Sequence, residues 1–205
     1  MKSICFCGMD GAGKSTQSKR IVEKLAKFNS LYIHVFSQGN TVASKTHNIA
    51  FIKDVHQRMR DLSGKGIGRY VKILVGLSYY LVDAWVTVLR NRYKYKNNMI
   101  IYDRYFYDSL VIFIANFECM PTWALSFGRL LPKCNEIIFL EAKPACALKR
   151  KPEHSMEVMQ RYFALYRMLA KLMKVEVVDG TASMELVNKE IDKRIDQFIL
   201  SLQVI

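Results

Sequence analysis

The stretch from Gly8 to Ser15 limits the possible folds of this chain more than any other. It reads Gly-Met-Asp-Gly-Ala-Gly-Lys-Ser and follows a short apolar run, Ile4 to Cys7. After it comes a helical pattern whose apolar face is formed by Ile21, Val22, Leu25 and Phe28. Strand, glycine-rich loop and helix in this order, with the spacing GxxxxGK[ST], are typical of a phosphate-binding loop. Its glycines let successive backbone N–H groups point at phosphate oxygens at a helix N-terminus.

The chemistry of this loop names candidate ligands for phosphate and metal. Lys14 can reach the β- and γ-phosphates of a nucleotide, and the Ser15 hydroxyl can bind Mg²⁺. The candidate nucleotide-binding residues of the loop are Gly8, Asp10, Gly11, Ala12, Gly13, Lys14, Ser15 and Thr16. We therefore expect ATP and Mg²⁺ as cofactors.

Charge and cysteine content restrict the partners and the compartment. The formal net charge of +13 suggests an acidic partner or substrate, which could be nucleotide phosphates, nucleic acid or an anionic membrane surface. The five cysteines, at positions 5, 7, 119, 134 and 146, show no CxxC spacing. We therefore expect reduced thiols in a cytoplasmic protein rather than a disulfide framework or a zinc site. The four histidines show no ligand spacing, so none is assigned to catalysis or metal binding.

The stretch from Val71 to Leu89 is apolar enough to resemble a transmembrane segment. It contains Lys72 and Asp83 and is only marginally long enough to span a bilayer. We therefore expect a helix buried in a globular core and no transmembrane segment. No signal peptide is expected either, because the apolar run after Lys2 is broken at Gly8.

Short apolar runs alternate with helical patterns along the whole chain. Strands are expected at 4–7, 31–36, 99–103, 137–140 and 174–178, with helices between them. This alternation favours an α/β fold, a three-layer sandwich in which helices cover both faces of a five-stranded parallel sheet. With 205 residues and no linker, residues 1–205 are expected to form a single domain.

The strand from Met99 to Asp103 ends in a carboxylate, and Arg104 and Tyr105 follow at once. An acid at a strand end of a protein with a phosphate-binding loop can hold Mg²⁺ directly or through water. Where such a strand supports water activation, a second acid commonly follows, and here Arg104 takes that place. Asp103 and Ser15 are therefore the candidate metal ligands.

Four stretches of the chain resemble the thymidylate kinase family. They are Cys7–Gln17 for the phosphate-binding loop, 103–105 for its Asp-Arg-Tyr motif, 139–150 for a strand and the start of the lid, and 178–183 for the turn whose backbone contacts adenine. The resemblance covers nearly the whole chain in the right order. It implies a P-loop kinase fold with a lid at about 149–156, and this lid is shorter here than the arginine-rich lid of the family.

The resemblance implies transfer of the γ-phosphoryl group of ATP-Mg to dTMP or a related nucleotide. The catalytic residues that it implies are Lys14, Arg104, Asp103 and Arg150. Asp10 would lie toward the acceptor sugar, and Gly180 and Thr181 belong to the adenine turn. The family also implies a homodimer formed through the long helix.

The acceptor half departs from the family pattern. Ser37–Asn40 offers no arginine to clamp a monophosphate, the nearest cation is Lys45, and Asp83 is followed by Ala84 where the family carries an arginine near the base. Two alternatives therefore stay open. One is a P-loop kinase that acts on a deoxynucleoside or a sugar. The other is a non-catalytic nucleotide-binding module whose basic and aromatic stretch, 90–96, meets nucleic acid or membrane.

Overall fold

The computed structural model describes residues 2–36, 67–116 and 122–203. Within these ranges a parallel sheet has the order β2-β3-β1-β4-β5. The strands are β1 (Lys2–Gly8), β2 (Ser30–His34), β3 (Met99–Asp103), β4 (Glu136–Glu141) and β5 (Val177–Asp179). The helices are α1 (Lys14–Lys24), α2 (Ile67–Lys94), α3 (Phe106–Asn116), α4 (Pro144–Arg150), α5 (Met156–Met173) and α6 (Met184–Gln203). Two 3₁₀ segments, Ala26–Phe28 and Thr122–Leu130, complete the described elements, and the α/β class with a five-stranded parallel sheet is confirmed.

The central position of β1 decides where the functional residues meet. β1 pairs with β3 on one side and β4 on the other, with Phe6 opposite Asp103 and Gly8 opposite Leu140. Its interior residues are fully buried, as expected for a parallel strand with neighbours on both sides and helices on both faces. The carboxyl ends of the three strands therefore meet at one edge, and the phosphate-binding loop, Asp103 and the start of α4 all follow from that edge.

The two cysteines of β1 lie on the same face, as their spacing predicts. Their sulfur atoms are 3.9 Å apart, and both side chains are fully buried. Burial raises the pKa of the Cys7 thiol to about 12, so that the reactive thiolate is rare at neutral pH. All four cysteines that the structure describes are free thiols.

The two C-terminal helices each bury one apolar side against the core. α5 begins after Ser155, whose Oγ accepts a hydrogen bond from the backbone N–H of Val158 at 3.3 Å. Met159, Tyr166 and Leu169 of α5 are buried, whereas Met156 is exposed because it follows the exposed residues 152–155 at the start of the helix. On α6, Val187, Ile191, Ile195 and Phe198 are buried, and Leu202 packs against the core.

The predicted burial of the apolar stretch in α2 is wrong for half of the helix. Its buried side includes Ile73, Leu77, Ala84 and Val88. The exposed large apolar residues of α2 are Tyr70, Val71, Leu74, Val75, Tyr79, Val82, Trp85, Val86, Leu89 and Tyr93. The helix is apolar all round, but only one side packs on the core. Among the described helices, 73–94 is the segment long and apolar enough to cross a membrane, a test that core helices of soluble proteins also pass.

Two further expectations have different outcomes. The fifth strand begins at Val177 rather than at 174, because Lys174 ends α5 in the left-handed conformation with φ 55°. The stretch Ser37–Asn40, which offers no arginine, and the candidate cation Lys45 lie outside the described residues.

Candidate active site

The phosphate-binding loop folds around the side chain of Lys14. Lys14 begins α1, and its side chain is 5% exposed. Its Nζ donates hydrogen bonds to the carbonyl oxygens of Gly8 at 2.5 Å and Met9 at 2.9 Å. Burial lowers the pKa of Lys14, although the carboxylates of Asp108 and Asp10 act in the opposite direction. The ammonium group is thus held inside the curve of the loop, with Ser15 and Thr16 exposed in the first turn of α1.

Arg104 brings a second cation to the loop from the end of β3. Its backbone has φ 63°, in the left-handed region, and its N–H donates to the carbonyl oxygen of Phe6 at 3.1 Å. This backbone directs the guanidinium group to Asp10, with which it forms a hydrogen-bonded ion pair. The Nζ of Lys14 lies 3.7 Å from the same carboxylate. Two of the predicted catalytic residues therefore converge on the acid of the phosphate-binding loop.

Asp10 carries the negative charge between the cations Lys14 and Arg104. Burial raises the pKa of its carboxyl group, but Lys14, Arg104 and Lys151 together outweigh that effect and bring the pKa below the usual value. Asp10 is therefore ionised at neutral pH. Because its pKa is lowered in the folded state, the stability that it contributes is present at neutral pH and is lost as the pH falls through that pKa.

Asp103 is fully buried at the end of β3. Its Oδ2 accepts a hydrogen bond from the Tyr32 hydroxyl at 2.5 Å, and its Oδ1 has no hydrogen-bond partner among the described residues. A buried carboxylate oxygen without a partner is costly, so this atom fits a role as a metal ligand. Oxygen donors such as Asp103 and Ser15 are also the type that Mg²⁺ prefers.

A second group of possible metal ligands lies beside the loop. One oxygen or nitrogen atom each from Asp10, Glu153 and His154 lies within 4.8 Å of the others. Asp10 already pairs with Arg104 and Lys14, so a cation here would compete with two positive charges. Asp103 and Ser15 are therefore better candidate ligands for Mg²⁺ than this second group.

Arg150 lies at a different part of the site from the other predicted catalytic residues. Its Nη1 donates to the carbonyl oxygen of Gly180 at 2.8 Å and to that of Gly11 at 3.3 Å. Arg150 therefore links the end of α4 to the phosphate-binding loop and to the predicted adenine turn. In that turn, the N–H and the hydroxyl of Thr181 both donate to Asp179, at 2.8 and 2.6 Å, and these bonds lower the pKa of Asp179.

Three residues at the site were not singled out by the sequence pattern. His154 has its Nε2 3.8 Å from Asp10, and its ring meets that of Tyr162 edge-on at 5.6 Å. Tyr32 contacts Asp103 from the neighbouring strand. Asp108 is a fully buried carboxylate in the first turn of α3. Only Asp108 has a local signal, since an acid three residues after Tyr105 fits the position of a helix-capping residue.

The fold and the site together are typical of a P-loop nucleoside or nucleotide kinase. The glycine-rich loop folds around Lys14, whose Nζ contacts the carbonyl oxygen of Gly8. The strand-end acid Asp103 is followed by Arg104, whose guanidinium group contacts Asp10 of the loop. No protein-family model matches the chain. A thymidylate kinase from Plasmodium falciparum (isolate 3D7) is 22% identical over 208 residues, which cover 95% of this chain and 89% of that protein. The resemblance to thymidylate kinases is thus confirmed by a curated relative.

Solved structures of a deoxyadenosine kinase from M. mycoides share the fold. The structure with bound dATP matches with a TM-score of 0.60 and 17% identity, covering 96% of this chain and 100% of that one. The structure with bound dCTP matches with a TM-score of 0.55 and 16% identity over 95% of this chain and 99% of that one. These similarities are to P-loop deoxynucleoside kinases, which agrees with the predicted fold.

Proposed function

We propose that this protein transfers the γ-phosphoryl group of ATP to dTMP or a related nucleotide with the help of Mg²⁺. The observation that carries the proposal is the meeting of Arg104 and Lys14 on Asp10 at the start of the phosphate-binding loop. Nucleotide binding alone does not require an arginine from a second strand at this place. Phosphoryl transfer does benefit, because fixed cations stabilise the charge of the transferred group.

On the donor side, the phosphates of ATP would be bound by the N–H groups of the loop and by Lys14. The Lys14 ammonium would exchange the carbonyl oxygens of Gly8 and Met9 for phosphate oxygens. Ser15 and Asp103 would hold Mg²⁺, which supplies charge neutralisation to the phosphates when bound. Tyr32 fixes the orientation of the Asp103 carboxylate by donating to one of its oxygens.

The segment 149–156 would serve as a short lid within a single domain that covers residues 1–205. Arg150 at its start already touches the loop and the adenine turn, where Gly180 and Thr181 would lie beside the base of ATP. Closing this segment over the phosphates would keep water out of the site.

On the acceptor side, the charges around Asp10 support an acceptor that carries a phosphate. Asp10 would bind a sugar hydroxyl, and Arg104 would contact the acceptor phosphate, with Lys151 adding positive charge from the lid segment. The second candidate acceptor is a deoxynucleoside. It is favoured by the shared fold with deoxyadenosine kinases and by Ala84, which stands where the resembling family carries an arginine.

The test is ADP formation from ATP against a panel of acceptors. We expect dTMP to give the highest turnover among nucleoside monophosphates, with deoxynucleosides and sugars near the background set by the Lys14→Ala variant. Turnover with deoxynucleosides alone would move the assignment to the second candidate. No turnover with any acceptor, together with strong salt-sensitive binding of DNA or anionic vesicles, would contradict a kinase and favour a binding module.

A homodimer formed through α2 is the second part of the proposal. The side of α2 that faces away from the core exposes many large apolar residues, and large exposed apolar patches mark protein–protein or membrane interaction sites. Val75 and Val82 lie on that side seven residues apart and are 64% and 62% exposed. A second copy of the same helix would cover them.

We expect sedimentation to give the mass of a dimer for the wild-type chain. Val82→Lys should shift the mass toward the monomer while the circular dichroism spectrum stays unchanged, because the substitution places a charge in the contact without touching the core. Lys189→Ala, on α6, is the control that should leave the mass alone. A monomer that partitions into lipid vesicles would contradict the dimer and point to a membrane surface.

A further inference from the structure

Asp108 is a buried acid that has no role in the donor or acceptor contacts described above. It lies in the first turn of α3 with no exposed surface. Its Oδ1 accepts hydrogen bonds from the backbone N–H of Gly8 at 3.0 Å and from the hydroxyl of Tyr166 at 2.7 Å. Its Oδ2 accepts a hydrogen bond from the backbone N–H of Tyr105 at 2.8 Å. One carboxylate therefore receives donors from β1, from α5 and from the residue that precedes α3.

The two backbone donors lie at decisive places in the site. Gly8 is the residue at which β1 becomes the phosphate-binding loop, and its carbonyl oxygen contacts Lys14. Tyr105 directly follows Arg104, whose own N–H is tied to Phe6 of β1. Asp108 thus joins the segment that starts the loop to the segment that carries Arg104, and both hydrogen bonds lie within 3.0 Å.

We propose that Asp108 is a positioning residue that holds the phosphate-binding loop and Arg104 in a fixed relation for nucleotide binding. The proposal rests on the function given above, since it concerns the same site. Phosphoryl transfer depends on groups placed to within a fraction of an ångström, and here two of those groups come from different strands. A single buried carboxylate between the two strand ends limits how far one can shift against the other.

Only a carboxylate satisfies all three donors. It offers two acceptor oxygens and no hydrogen to clash with them. An asparagine could accept at one oxygen, but its amide group would face either Gly8 or Tyr105, whose N–H is also a donor. One backbone N–H would then be left buried without an acceptor, which is costly. The negative charge also lies close enough to Lys14 and Arg104 to stabilise both cations.

Tyr166 supplies the matched control. Its hydroxyl is the third donor to Asp108, and Tyr166→Phe removes that hydrogen bond while both backbone bonds and the charge remain. If Asp108 only stabilises the fold, Asp108→Asn and Tyr166→Phe should affect ATP binding in the same way and differ only in how much each lowers the melting temperature. If Asp108 positions the loop, only Asp108→Asn should change how the loop binds a nucleotide.

The experiment measures the dissociation constant of ATP by calorimetry and the melting temperature of each variant. We expect Asp108→Asn to weaken ATP binding by about tenfold or more. Tyr166→Phe should change the affinity for ATP by less than about threefold, even if its melting temperature falls as much as that of Asp108→Asn. Asp108→Ser, which also offers a single acceptor without charge, should weaken binding as Asp108→Asn does. Equal affinities in all folded variants would overturn the proposal.

A second measurement needs no variant. Amide hydrogen exchange in the wild-type protein should be as slow at Gly8 as at Cys5, in the interior of β1, because the Gly8 N–H is bonded to a buried acceptor. Fast exchange at Gly8 would contradict the proposal. Because this measurement uses the wild-type protein, it tests the proposal even if neither Asp108 variant folds. A wild-type chain with slow exchange at Gly8 but no binding of ATP would refute the proposed function and leave the geometry around Asp108 in place.

Discussion

Replacing Lys14 with alanine is expected to lower the rate of phosphoryl transfer by roughly 10³-fold, the size found when a fixed charge-stabilising donor is removed from a transition state. The reason is that Lys14 is the cation enclosed by the loop, with its Nζ held at 2.5 Å from the carbonyl oxygen of Gly8. The measurement is kcat with ATP and the best acceptor of the panel. The dissociation constant of ATP, taken alongside, separates lost binding from lost catalysis.

Three variants serve as controls. Two of them separate the volume from the charge of the side chain at position 14, and the third tests the loss of a lysine elsewhere on α1. Lys14→Met fills the same buried space without charge and should lose as much rate as Lys14→Ala. Lys14→Arg keeps the charge but not the fit of a single ammonium group between two carbonyl oxygens, so it should recover only part of the rate. Lys19→Ala, at an exposed position of the same helix, should leave kcat unchanged. Near-normal turnover in Lys14→Ala would contradict the kinase assignment.

The elements that could be predicted from the sequence are those whose signal is local. The loop and its lysine are contained in eight consecutive residues, and the acid Asp103 ends an unbroken apolar strand. The positions of Lys14, Asp103 and Arg104 at one sheet edge follow from the rule that parallel strands bring their carboxyl ends together. The observed pairing of β1 with β3 places them there.

The contacts that could not be predicted join residues far apart in the chain. Asp108 meets Gly8 100 positions away and Tyr166 58 positions away, and Tyr32 meets Asp103 71 positions away. Such pairs depend on strand order and register, which the apolar pattern of a single strand does not contain. The exposed side of α2 is a similar case, because a helix that is apolar all round does not tell which side faces the core.

The second large effect is expected at Gly8, where alanine should lower the free energy of unfolding by about 4 kcal/mol or more, in the range reserved for severe local disruption. Gly8 has φ 143°, and a Cβ atom there would overlap the backbone carbonyl oxygen of Leu140 on β4. That oxygen belongs to a central strand and cannot move aside as a flexible side chain would. The measurement is the free energy of unfolding from urea denaturation.

Gly13→Ala is the matched control, because it separates backbone strain from steric overlap. Gly13 also has a positive φ, 95°, but a Cβ atom there meets nothing within 4 Å. Its cost should be that of the strained backbone alone, about 1–2 kcal/mol. Similar losses in the two variants would mean that β1 and β4 separate easily at this edge. The close contact of β1 with β4 would then not be what holds the loop in place, and the fixed geometry argued for Lys14 would have to come from Asp108 alone.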